Sequence, residues 1–279
     1  MSFDKPGRAG LDYLPCRYGR CKTLFRGPKR RLDAPFVAYL GGAETYGRFI
    51  AHPYPAILEE RLGLGAVNLG WANAGVDAFL GDPDLLQVVG QARVAVIRLP
   101  GAQNMSNRFY SVHPRRNDRF VQASTLLQTV YREVDFTEFH FTRHLLGALH
   151  ERAPERFALL REELQSAWVA RMGQLLDRIP VPVVLLWFAD RPPPRAEEAE
   201  GPDLDLDPLF VTDQMIEALR PRVNALVQVV PSEAARAEGT RGMVFAAMEA
   251  PAAAEQLSSA AHGEVAEALT PVLKAILES

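Results

Sequence analysis

Five short apolar runs, each bounded by glycine, proline or charge, constrain this chain more than any other feature. They are FVAYLGG (36–42), AVNLGW (66–71), RVAVIRLPG (93–101), VPVVLLWFAD (181–190) and ALVQVVP (225–231). Each is rich in β-branched or large aliphatic side chains, without the polar–apolar alternation of a strand that has one face in water. Runs of that kind suit parallel strands covered on both faces. Helical patterns separate them. YPAILEERLG carries Ile57, Leu58 and Leu62 on one stripe and stops at Gly63, DPDLLQVVGQA follows the second run, and SSAAHGEVAEALTPVLKAILES closes the chain. Such alternation predicts an α/β fold, a doubly wound sheet of five parallel strands in the order 2-1-3-4-5, with ligands at the carboxyl ends of the strands. From Arg119 to Arg178 only helix signals appear, more than one crossover needs, so a helical insertion is expected over about 119–178.

Composition narrows the function classes. The 279 residues carry a formal charge of -3, are 48% hydrophobic, and contain no apolar run approaching a membrane span. The chain is therefore expected to be a cytoplasmic protein without nucleic-acid affinity, since that affinity needs a net basic surface. The start has no apolar segment of the kind a secretory signal requires. Cys16 and Cys21 are too few for a structural zinc site and read as ordinary thiols. His140 and His144 lie one helical turn apart without a third ligand to join them, so neither a metal nor a cofactor is expected.

The charge is uneven. Residues 13–32 hold Arg17, Arg20, Lys22, Arg26, Lys29, Arg30 and Arg31 with no acid, so residues 1–33 read as a basic arm ahead of the α/β domain at 34–279. RAEEAEGPDLDLDP (195–208) is mostly acidic and reads as a solvated loop. QNMSNRFYSVHPRRNDRF, just after the third run, gathers Arg108, His113, Arg115, Arg116 and Arg119 around the single acid Asp118. Arginine forks suit carboxylate, phosphate or sulfate. These five are expected to recognise an anion at the sheet edge, or else to tie the insertion to the core through ion pairs.

GGAETYG after the first run, NLGWANAG after the second and LPGAQN after the third resemble, in degraded form, the ordered motifs of the SGNH (GDSL-like) hydrolases. The stretch 13–190 looks closer still to an uncharacterised bacterial family built on that core. The resemblance implies a three-layer, flavodoxin-like sheet and an acyl-ester hydrolase or acyltransferase acting on a small anionic or acylated substrate, carbohydrate- or lipid-linked. Gly41, Thr45 and Gly47 match the first motif, but Gly42 takes the place of its aspartate and Ala43 that of its nucleophilic serine. That leaves Glu44 as an acid, base or ligand-binding carboxylate and Thr45 as a nucleophile. In the second block Gly70 matches, and Asn73 takes the donating glycine's place with Gly75 nearby. In the third, Gly101 matches, Gln103 stands for the oxyanion asparagine and Asn104 for the following aspartate. His262 falls where the family keeps its catalytic histidine, although position 259 is serine rather than aspartate; a shifted alignment puts Gln256 there instead. Alternatives of other classes are an inactive module binding an anionic ligand or partner, and a group transferase such as a sulfotransferase. The last lacks the glycine-rich Lys-Ser/Thr loop that cradles phosphates.

Overall fold

The computed structural model describes residues 10–195, 204 and 206–279. Residues 1–9 of the basic arm and most of the acidic stretch, 196–203 and 205, lie outside the described residues. Five parallel strands, β1 (Phe36–Gly41), β2 (Gly65–Gly70), β3 (Val94–Arg98), β6 (Val183–Phe188) and β7 (Ala225–Val229), form one sheet in the order β2-β1-β3-β6-β7. Each strand falls inside or within a residue of one of the five apolar runs, and their relative order is the expected one. β1, β3 and β6 are buried at every position, which is why their sequences do not alternate.

Successive side chains point to opposite faces of the sheet, and each face has its own core. Val37, Tyr39, Val94, Val96, Val184 and Leu186 pack under α2 (Tyr54–Leu62) and α11 (Ser259–Glu278). Phe36, Ala38, Leu40, Ala95, Ile97 and Leu185 face the other way, toward α3 (Val76–Leu80), α4 (Pro83–Val89) and the segment between β3 and β6. In that segment Leu145, Leu146 and Leu149 of α6 (Thr142–Arg152) and Phe157, Leu160, Leu164 and Trp168 of α7 (Pro154–Asp177) join the same cluster as the strands. Trp168 also donates its indole N–H to the Pro100 carbonyl at 2.9 Å.

The segment is not purely helical, and this corrects the sequence reading. β4 (Tyr110–His113) and β5 (Arg116–Ala123) pair as an antiparallel hairpin before α5 (Thr125–Val130) begins at the Ser124 cap. The apolar positions of RFVQA fit a helical stripe as well as a strand. The decision comes from pairing: Val112 lies opposite Phe120, and the Phe120 N–H donates to the His140 carbonyl. Cross-strand partners distant in sequence outweigh the local helical preference.

Register places the site. Gly41 lies beside Gly70, Leu40 beside Ile97, and Arg98 beside Leu186, so β1, β2 and β3 end side by side at one edge. No helix among the described residues is long and apolar enough to cross a membrane.

Candidate functional site

At this edge β1 turns directly into α1 (Ala43–Tyr46), a single short turn resting on the strand ends. A side chain at Gly41 would lie 2.1 Å from the Thr45 hydroxyl, and one at Gly70 would lie 2.6 Å from the Tyr46 nitrogen, so both close approaches require glycine. Asn68 fixes the turn from β2: its Nδ2 donates to the Thr45 carbonyl at 2.7 Å while its Oδ1 accepts the Gly70 N–H at 3.0 Å. Arg26, from the basic arm, is buried beneath the following loop. Its Nη1 donates to the carbonyls of Tyr46 and Gly47 at 3.1 and 2.5 Å, and its Nη2 to those of Ile50 and Ala51 at 2.7 and 2.9 Å. Part of the arm is thus a clamp on the β1 loop rather than solvated chain.

A cavity of about 640 Å³ opens over the strand ends. Among the sequence-predicted residues it brings together Ala43, Glu44, Asn73, Gln103 and Asn104. Gln256, the residue favoured by the shifted alignment, also lines it. Gln103 is 2% exposed, and its Oε1 is buried without a partner. Asn104 accepts the Thr142 hydroxyl at 2.8 Å, which joins the cavity wall to α6.

Its centre is a charge network that the motifs did not reveal. Arg98, at the end of β3, is 3% exposed. Its Nη1 lies 2.8 Å from Asp207 Oδ2 and its Nη2 3.3 Å from Glu44 Oε1, while Nε and Nη2 donate to the Phe188 carbonyl at 3.3 and 3.2 Å. Arg143 reaches Asp207 from the far side at 3.3 Å and donates to the carbonyls of Leu204 and Leu206. Burial holds the Glu44 carboxyl above its ordinary range, and Asp207 adds to this; the Arg98 guanidinium opposes but does not cancel it. One sequence signal could have found Arg98: it is the charged residue at the carboxyl end of an otherwise apolar strand, where ligands bind in α/β sheets. Asp207 had no such signal, because it belongs to a stretch that reads as solvated loop.

Several expected site residues lie elsewhere. Thr45 is fully buried and does not line the cavity; its hydroxyl shares a 2.8 Å hydrogen bond with Tyr54 and donates to the Leu40 carbonyl at 3.5 Å. His262 is 1% exposed, stacked on Tyr54 and edge-on to Phe188 in the core on the α2–α11 side. Its Nδ1 accepts the Tyr54 N–H at 3.2 Å. Burial, with the nearby positive charge of Arg26, lowers its pKa to about 3, so it is a neutral packing residue at neutral pH. The Gly75 N–H is taken by Asn117 Oδ1 at 3.0 Å. Arg108 pairs with Glu163 of α7, Nε to Oε2 at 2.7 Å and Nη2 to Oε2 at 2.5 Å, which is the tying role rather than anion recognition. His113, Arg115, Arg116 and Arg119 line a separate groove on the hairpin. Of the residues singled out in the sequence, Ala43, Glu44, Asn73, Gln103 and Asn104 thus line one cavity, whereas Thr45, Gly75, His262 and the basic loop do not.

Among the described residues no group of three or more His, Cys, Asp or Glu stands close enough to hold a metal ion. His144 instead packs edge-on against Phe139.

A family model described as Domain of unknown function (DUF6473) matches residues 1–277. The chain belongs to this family. No curated protein matches it. Among solved structures, it is similar to a carbohydrate esterase family 2 enzyme plus carbohydrate binding domain from Corynascus thermopiles (Myceliophthora fergusii). That similarity has 12% identity over 92% of this chain and 71% of that one, with a TM-score of 0.45. It is also similar to an extracellular lipase from Streptomyces rimosus, with 13% identity over 87% and 100% of the two chains and a TM-score of 0.43. An acetylxylan esterase from Geobacillus stearothermophilus has 17% identity over 87% and 94%, with a TM-score of 0.39.

Proposed function

We propose that this protein keeps a hydrolase-like framework whose cavity binds a polar small molecule, and that the serine–histidine chemistry of the resembling hydrolases has been lost. The observation that carries this reading is Ala43. Its methyl group lines the cavity where β1 ends, and among the described residues no serine, threonine, cysteine or histidine lines that cavity beside it. A methyl group cannot attack a carbonyl, and an enclosed His262 whose Nδ1 is already engaged is not within reach of a substrate proton.

The lining also suggests the ligand's character. Its two guanidinium groups already serve Glu44, Asp207 and backbone carbonyls, and Glu255 adds a further carboxylate. An anion would have to displace these partners. A neutral ligand rich in hydroxyl or amide groups would instead meet the side-chain amides of Asn73, Gln103, Asn104 and Gln256. The test pairs an esterase screen and a serine-reactive fluorophosphonate probe with calorimetric titration of neutral sugars and amides. The expected result is no labelling, no turnover of p-nitrophenyl acetate above background, and binding that Asn73→Ala weakens. Fluorophosphonate-sensitive turnover would overturn the reading.

A second reading is favoured by Glu44 alone, whose carboxyl stands at the cavity with its pKa raised by burial, the direction that makes a carboxylate a better proton acceptor. Glu44 would take a proton from water as the water oxygen bonds to an acyl carbon, then return it to the departing alkoxide. Turnover that disappears in Glu44→Gln and resists the fluorophosphonate probe would select this reading over the first.

A further inference from the structure

The geometry points to a second binding site, on the β4–β5 hairpin, for a soluble small molecule carrying two or more phosphate groups. The site is a groove of about 590 Å³ lined by Lys22 and Thr23 from the arm and by His113, Arg115, Arg116 and Arg119 from the hairpin. It shares no lining residue with the cavity at the sheet edge. No carboxylate lines it, and every polar group it presents can donate. His113 fits this pattern through its tautomer: Nδ1 accepts the Arg115 N–H at 3.2 Å, so in the neutral ring the proton sits on Nε2, which is then a donor. Arg119 lays its guanidinium 4.5 Å from the centroid of the Phe141 ring, which orients the fork and leaves its in-plane N–H groups available.

Arg20, Arg30, Arg31, Arg108, Arg156, Arg171, Arg220 and Arg222 each have a carboxylate partner. Lys22, Arg115, Arg116 and Arg119 form no ion pair among the described residues. Cations without an ion pair also occur elsewhere among the described residues, as at Arg48, Arg61 and Lys274; the groove differs in gathering four of them with no carboxylate in its lining. The chain as a whole carries -3, so solubility does not account for concentrating unpaired positive charge at one groove. Like charges held this close repel one another until a counter-charge arrives. One phosphate satisfies about one fork, and three arginines with a lysine and a histidine in one groove suit two such groups. The aromatic ring that lines the groove, Phe120, is only 8% exposed, so the lining is presented through its cationic groups.

The experiment is calorimetric titration of the full chain at low salt with inorganic pyrophosphate, orthophosphate and a tetra-aspartate peptide. It is run on wild type, the double variant Arg115→Ala with Arg116→Ala, and Arg116→Glu. Thermal unfolding of each variant establishes that it folds, which is expected because Arg115 and Arg116 are exposed. Pyrophosphate is expected to bind at least about tenfold tighter than orthophosphate, with at least about a tenfold loss in both variants and a steep decline with added salt. Absence of pyrophosphate binding to wild type, unchanged affinity in folded variants, or tighter binding of tetra-aspartate than of pyrophosphate would each overturn the proposal. None of these outcomes bears on the cavity at the sheet edge.

Discussion

Arginine is put to opposite uses in two regions of this molecule, the cavity at the sheet edge and the groove on the hairpin. In the cavity Arg98 is withdrawn from water and saturated by Glu44, Asp207 and the Phe188 carbonyl. In the groove Arg115 and Arg116 stand exposed, with no ion-pair partner among the described residues. A buried charge must have its partners supplied by the fold, whereas an exposed one is solvated and free to meet a ligand. Arg98 is therefore the piece on which the shape of the cavity depends, and the groove arginines can be changed without disturbing the fold.

Arg98→Ala should produce the largest effect, because it leaves Glu44 and Asp207 facing each other without their shared cation. A loss of about 3–5 kcal/mol in denaturant unfolding is expected. A loss below about 1 kcal/mol would mean that the network is solvated and that the contrast between the two regions is false. Arg26→Met should follow, at about 3 kcal/mol, since a methionine fills the space but leaves four loop carbonyls without a donor. Hydrogen exchange at Gly47, Phe49 and Ile50 should rise in this variant even under conditions where the sheet stays protected.

His262 supplies a pH-dependent effect of intermediate size. Its imidazole titrates near 6.5 in an unfolded chain and at about 3 in the fold, so as the pH falls the unfolded state takes up the proton first. The stability it contributes is full above about pH 6.5 and is lost as the pH falls toward about 3, at up to about 1.4 kcal/mol per pH unit. Glu44 acts in the other sense. Its carboxyl is raised in the fold, so the stability it contributes is present below its ordinary value and lost as the pH climbs through the folded one. His262→Gln should flatten the acid limb of the stability profile. An unchanged limb would show that the imidazole is not enclosed.

The smallest effect is expected in the groove. Arg115→Ala with Arg116→Ala should change stability by no more than about 0.5 kcal/mol in the absence of ligand. A larger loss would mean that these arginines hold the hairpin, as Arg108 holds α7 through Glu163.

Much of the sheet was legible because its signal is local. An apolar run such as VVLLWF is buried on both faces wherever it lies, and the order of the runs limits the ways they can be joined. The hairpin was not legible, since RNDRFVQA becomes a strand through the partners offered by Tyr110–His113 and by the His140 carbonyl. In the candidate site, Glu44, Asn73, Gln103 and Asn104 were placed together by motifs that each follow a strand, so the strand ends carried them to one edge. His262 was misplaced because motif position says nothing about which way a side chain at the start of a helix points. In α11 it points into the core, between Tyr54 and Phe188.

By itself the sequence determined the α/β class and the five strands. These are properties of short runs, and no rearrangement of the chain changes them. Only the tertiary structure decided that Asp207, from a loop more than a hundred residues beyond Arg98, neutralises it, and that the arginines after β3 divide between an ion pair and an open groove. Whether a charge is a scaffold or a ligand contact depends on its burial and its partner, and both are set by chain segments that meet only when the protein folds.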